Sequence, residues 1–169
     1  EEPQVNTEDL PPELKAESLA YFKAKQAALA ARKDCVVLAA DTIVAQGDRV
    51  FGKPVDETDA RDMLYLLSHN PHVVITGMVL LETLSGRRLI DFDKSRIFMK
   101  PMSDQDIDAY MKTGQWQDKA GGYAVQETAD KYIDKIEGSF TNVVGLPMEL
   151  LERMLKSFFD PDVIDSFTC

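Results

Sequence analysis

Residues 35–40, C-V-V-L-A-A, form an apolar run with the length and branching of a buried β-strand, and the run ends in a carboxylate, Asp41. A second short β-type run, 42–45, follows it. Gly47-Asp48 then supplies a turn before Arg49-Val50-Phe51. Gly52 loosens the backbone just ahead of Lys53, and Pro54 stiffens what comes next. A carboxylate at a strand end and a lysine on a Gly-Pro-braced loop suit metal-assisted phosphate chemistry. The acid can hold a divalent cation or take a proton from water, and the lysine offsets phosphate charge. The spacing alone is equally that of an acid capping a turn and of an ordinary Gly-Lys-Pro loop.

The rest of the chain alternates helical and extended patterns. Residues 13–32, dense in Ala, Leu, Lys and Glu, predict a helix whose Leu14, Leu19, Phe22 and Leu29 face a sheet. Asp56 or Thr58 opens a second helix to about Ser68, with Ala60, Met63, Leu64 and Leu67 recurring at i, i+3, i+4 and i+7. His69 and His72 flank Asn70-Pro71 and read as surface or outer groups of an exit loop. Residues 73–83 and 88–99, joined by a Ser85-Gly86 turn, predict a long hairpin. Thr76-Gly77 interrupts its first strand, at a bulge or where a ligand approaches. Asp91, Asp93, Lys94 and Arg96 mark its second strand as an exposed edge.

Ser103 caps a helix reaching Lys112. Asp118-Lys119 stands before adjacent Gly121 and Gly122, which let backbone amides approach a ligand or else make a turn into a strand. Residues 132–136 read as a short strand and 142–147 as a turn. Pro147 takes the first position of a last helix over 148–158.

The chain of 169 residues is 44% apolar and carries a formal charge of −10. So acidic a chain lacks the footprint of a nucleic-acid polymer binder, although a few lysines and a metal ion can reverse the potential inside one pocket. No apolar run approaches the roughly 20 residues of a membrane span, so no membrane partner is expected, and the absence of a signal-peptide pattern makes a cytoplasmic location the default. Cys35 and Cys169 are read as a buried thiol and a tail thiol, with neither a disulfide framework nor a zinc site.

Six stretches in order resemble the Maf family: L-A-Y-F-K-A (19–24), A-A-D-T-I-V (39–44), G-K-P (52–54), Thr76-Gly77 after His72, D-K-A-G-G-Y-A-V-Q (118–126) and N-V-V-G-L-P (142–147). The resemblance implies a single α/β domain of the Maf, inosine triphosphatase-like, type: a mixed sheet flanked by helices, with a long hairpin. It implies hydrolysis of a nucleoside triphosphate between its α and β phosphates, with a divalent cation (Mg²⁺ or Mn²⁺) as cofactor and a homodimer as the assembly. A house-cleaning or division-arrest role follows from the same likeness.

By position, Asp41 corresponds to the catalytic acid and Lys23 and Lys53 to phosphate-side lysines, with Lys119 joining them. Thr42 and Gln126 match positions that mark the dTTP/UTP branch, as against one acting on modified purine nucleotides. An inactive nucleotide-binding regulatory protein is the alternative from another class. Family members begin with a strand and a Ser-x-Ser-Pro-Arg-Arg phosphate loop not seen in this sequence. The expectation is therefore a domain over 1–169 lacking that element, either an incomplete copy of the enzyme or a degenerate member, with 160–169 as a tail. Glu1 or Glu2 would then be the remnant of the family's metal-side glutamate, with Glu2 the one set beside Asp41 as a metal ligand. Glu127 departs from the family's glycine.

Overall fold

A computed structural model describes residues 10–125 and 129–159. Its elements in chain order are α1 (Pro12–Ala30), β1 (Val36–Gln46), β2 (Arg49–Phe51), α2 (Glu57–His69), β3 (His72–Glu82), β4 (Arg88–Met99), α3 (Asp104–Met111), β5 (Ile133–Glu137), α4 (Phe140–Val144) and α5 (Met148–Phe158). The strands form one sheet in the order β2-β1-β3-β4-β5. Its four pairings are antiparallel, where a mixed sheet was expected. Helices cover both faces, as anticipated, and the hairpin of β3 and β4 is its long spine. Among the described residues no helix is long and apolar enough to cross a membrane.

Helix α1 starts at Pro12, whose missing N–H costs nothing in a first turn. Its buried face differs from the expected leucine stripe. Ala16, Ala20 and Ala24 are fully buried, whereas Leu14 is 48% and Leu29 78% exposed. The cause lies in β3. A Cβ added to Gly77 would stand 2.4 Å from the main-chain carbon of Ala16 and 2.5 Å from Glu17 N. The helix backbone thus rests on the strand at a residue with no side chain, and further along the seam Ala20 and Ala24 pack with Val79 and Leu81. Gly77 interrupts nothing, since β3 pairs without a break with both neighbours there. The close approach expected of a ligand is made by α1.

The opposite face carries the larger core. Asp56 caps α2 by accepting the Asp59 N–H at 2.8 Å, and Ala60, Met63, Leu64 and Leu67 are buried as their spacing predicts. They pack with Val44, Phe51 and Val74 from the sheet and with Ile107, Tyr110 and Met111 of α3. A reciprocal capping box between Ser103 and Asp106 starts α3.

Three smaller differences have local causes. Strand β4 is covered on one side by β3, and β5 pairs only with its end, Arg96–Met99, so the exposed-edge reading holds only for its earlier part. Residues 120–122 form a 3₁₀ turn and no strand entry, because Gly121 and Gly122 both take positive φ. Pro147 is the residue before the last helix, which begins at Met148, and the first residues of the turn expected over 142–147 belong to a short helix, 140–144, ended by Gly145 at φ +107°. The Cys35 side chain is only half-buried, and Cys169 lies outside the described residues.

Candidate active site

Strand β2 pairs only with Val44, Ala45 and Gln46 of β1. Beyond that point the same edge of β1 meets no further strand among the described residues, and a cleft of about 480 Å³ opens along it. Asp41 therefore sits in the middle of a continuous eleven-residue strand and not at its end, opposite Gly77 of β3. The acid interrupts the apolar pattern because it faces the cleft, not because the strand stops.

Successive strand residues point to opposite faces. Asp41 points to the α1 side, where Lys23 Nζ forms an ion pair with its Oδ1. The Asp41 side chain is 13% exposed and that of Lys23 46%. Leu19, one turn before Lys23, lines the same wall. Thr42 points the other way, and its Oγ1 lies 2.9 Å from Thr76 Oγ1 on the neighbouring strand. On that side the wall is apolar: Val44, Phe51, Val74, Val143 and Val144, with Tyr123.

Lys53 and Lys119 enter from two loops that are tied together. Gly121 N donates to Gly52 O at 3.0 Å. Gly121 has φ +71°, a left-handed conformation that favours glycine, and a Cβ there would also press on the Leu67 side chain at 2.9 Å. Lys23, Lys53 and Lys119 share the cleft with the carboxylates of Asp41 and Asp118. Three positive charges against two give the cleft the opposite sign to the chain as a whole. Glu2, Gln126 and Glu127 lie outside the described residues.

One group was misjudged from sequence. His72 was set aside as a loop histidine, yet it begins β3, is 2% exposed, and receives the Tyr123 hydroxyl at its Nε2 at 2.6 Å. Burial pushes the Tyr123 phenol up and holds His72 down at about 4, so the tyrosine keeps its proton and the imidazole stays neutral. Tyr123 is thereby fixed as a wall of the cleft. The signal available was Tyr123 beside the glycine pair, which gives no hint of a partner 51 residues earlier.

This pair has a pH signature. Between pH 6.5 and about 4 an unfolded chain would protonate His72 while the folded one does not. Stability should thus be full above that window and fall through it as pH drops, by roughly 3 kcal/mol in all. Denaturant unfolding as a function of pH, compared with His72→Gln, should show a shallower slope in the variant.

The donors suit a divalent cation held largely by its ligand. Among the described residues no three His, Cys, Asp or Glu side chains cluster as a metal cage. Asp41 offers one carboxylate at the lysine-lined wall, and Asp118 lines the same cleft. Mg²⁺ commonly uses one or two carboxylates, completing its shell with phosphate oxygens and water, and that pattern fits here.

An apolar wall in one cleft with three lysines and two carboxylates suits a ligand with a flat apolar end and an anionic end. The family model of Maf-like proteins matches residues 1–158, and the chain belongs to this family. It is 42% identical over 154 residues to a dTTP/UTP pyrophosphatase of Alkaliphilus metalliredigens, covering 91% of this chain and 79% of that one. A dTTP/UTP pyrophosphatase of Alkaliphilus oremlandii is 39% identical, over 96% and 84% of the two chains. One of Clostridioides difficile is 40% identical, over 83% and 72%.

Proposed function

We propose that this protein hydrolyses dTTP- and UTP-type nucleotides to the monophosphate and pyrophosphate. The observation that carries the reading is the division of the cleft by β1: Asp41 and Lys23 on one face of the strand, Thr42 and the apolar wall on the other. A base fits against the apolar side while its phosphates reach the lysines, and about 480 Å³ lies within the range of small-ligand sites. The names of the relatives favour the same chemistry.

In this reading Asp41 accepts the proton of the water that attacks the α-phosphorus. Lys23 exchanges its bond to Asp41 for one to phosphate as the nucleotide enters, which leaves the carboxylate to act as a base. Lys53 and Lys119, on their joined loops, stabilise the charge that builds on the departing pyrophosphate. A divalent cation held by Asp41 would polarise the phosphate oxygens and lower the pKa of a bound water. Tyr123, pinned by His72, and Thr42 orient the base.

A homodimer, as family members form, belongs to this reading. Phe140, Val144, Leu146 and Met148, each between 38% and 50% exposed, offer apolar surface next to the cleft. A cytoplasmic place of action, where nucleotide pools are held, belongs to it as well.

Hydrolysis of dTTP in ¹⁸O-water tests the reaction. Label confined to dTMP, with unlabelled pyrophosphate as co-product, is the expected result. Release of orthophosphate and dTDP would rule out α–β cleavage.

A further inference from the structure

The hydroxyl of Thr42 belongs to a chain of hydrogen bonds whose direction is fixed. Taken alone, either threonine could donate across the 2.9 Å contact between Thr42 Oγ1 and Thr76 Oγ1. A carbonyl removes that freedom. Thr76 is fully buried, and its Oγ1 lies 3.0 Å from the main-chain oxygen of Asn142, which can only accept. The single proton of Thr76 is spent there, so the proton between the two threonines comes from Thr42.

The Asn142 carbonyl is itself held in place. It accepts a second bond from Gly145 N at 3.0 Å. The Asn142 side chain, also fully buried, donates from Nδ2 to Val74 O and to Ser95 Oγ, each at 3.0 Å. Ser95 in turn donates to Ser139 O at 2.8 Å. A flipped amide would set its oxygen against the Val74 carbonyl, so the orientation is determined. The protons of Thr42 and Thr76 are thus both spent within the chain.

We infer that Thr42 presents only lone pairs to the cleft, and that Thr76, which does not touch the ligand, is the positioning residue that makes it select an N–H donor. This rests on the nucleotide reading above and deepens it. Uracil and thymine carry an imide N3–H, while cytosine has a bare nitrogen acceptor at the same ring position. An acceptor-only Thr42 bonds the first and meets the second lone pair to lone pair. Guanine shares a ring N–H, so the device discriminates against cytosine and leaves purines to the size of the pocket. Gly145 keeps the flank of the hydroxyl open, since a Cβ there would lie 3.3 Å from Thr42 Oγ1.

The test is the ratio of kcat/KM for UTP over CTP in the unmodified protein, Thr76→Val and Thr76→Ser, with N3-methyl-UTP as a further substrate. Valine cannot accept the Thr42 proton, which then turns toward the cleft. The ratio should fall by at least about tenfold in Thr76→Val and stay near its original value in Thr76→Ser. A merely structural loss would lower both substrates alike and leave the ratio unchanged, and that result overturns the inference. The unmodified protein should use N3-methyl-UTP at least about tenfold less well than UTP. Equal use would also overturn it, and this arm decides the matter if Thr76→Val fails to fold. Failure to hydrolyse any triphosphate would overturn the pyrophosphatase reading itself, and the inference with it.

Discussion

Asp41→Asn should lower kcat for dTTP by about a hundredfold to ten-thousandfold, the usual contribution of a positioned general base. The amide keeps the size of the carboxylate, so the strand and its pairing with Gly77 should persist. What it loses is the ability to accept a proton or to hold a cation, and the ion pair with Lys23. Because Lys23 is then released toward phosphate, nucleotide binding should be kept or slightly strengthened while turnover collapses. Steady-state kinetics with equilibrium binding of dTTP separates the two effects. Near-normal turnover in this variant would remove Asp41 from its proposed role.

The second large effect is structural in origin. In Gly77→Ala the new methyl would meet three main-chain atoms of α1: Ala16 C at 2.4 Å, Ala16 O at 2.5 Å and Glu17 N at 2.5 Å. Main chain cannot swing aside as a side-chain tip can, so the helix must retreat from the sheet. Overpacking of this kind costs about 1–3 kcal/mol, which in a chain this size lowers Tm by roughly 2–12 °C. The retreat also carries Lys23 away from Asp41, and a shift of about 1 Å at a reacting group can cost about a hundredfold in rate. Gly52→Ala is the stability control, because nothing lies within 4 Å of its added Cβ. A Gly77→Ala protein that melts with the unmodified one would contradict the packing of α1 on β3.

Much of the fold could be read from pattern because the signals were local. The i, i+3, i+4, i+7 spacing of α2, the Ser103 cap of α3 and the two β-rich runs about Ser85-Gly86 all appear in the structure as read. Helix α1 was found, but with the wrong face inward. Its alanines register in a sequence as helix formers and not as core, and the close approach that buries Ala16 is set by a single glycine more than 50 residues away. Asp41 was singled out as an acid at a strand end but lies mid-strand, since a carboxylate amid β-branched residues looks like a boundary. The lysines were singled out by motif, whereas the tie between their loops, Gly121 N to Gly52 O, joins residues far apart in the chain. His72 and the hydrogen-bond chain from Thr42 to Ser95 depend on contacts between residues far apart in sequence, made with Tyr123 and with Asn142 of α4, that no local pattern encodes.

The division of the cleft by β1 is the central claim, and a panel of nucleoside triphosphates with Mg²⁺ or Mn²⁺ tests it most directly. Pyrophosphate release should be strongest with dTTP and UTP, weaker with CTP, and weakest with ATP, whose larger ring must fit against Val44, Phe51 and Tyr123. Release that is equal across all bases, or absent with every one of them, would contradict the account.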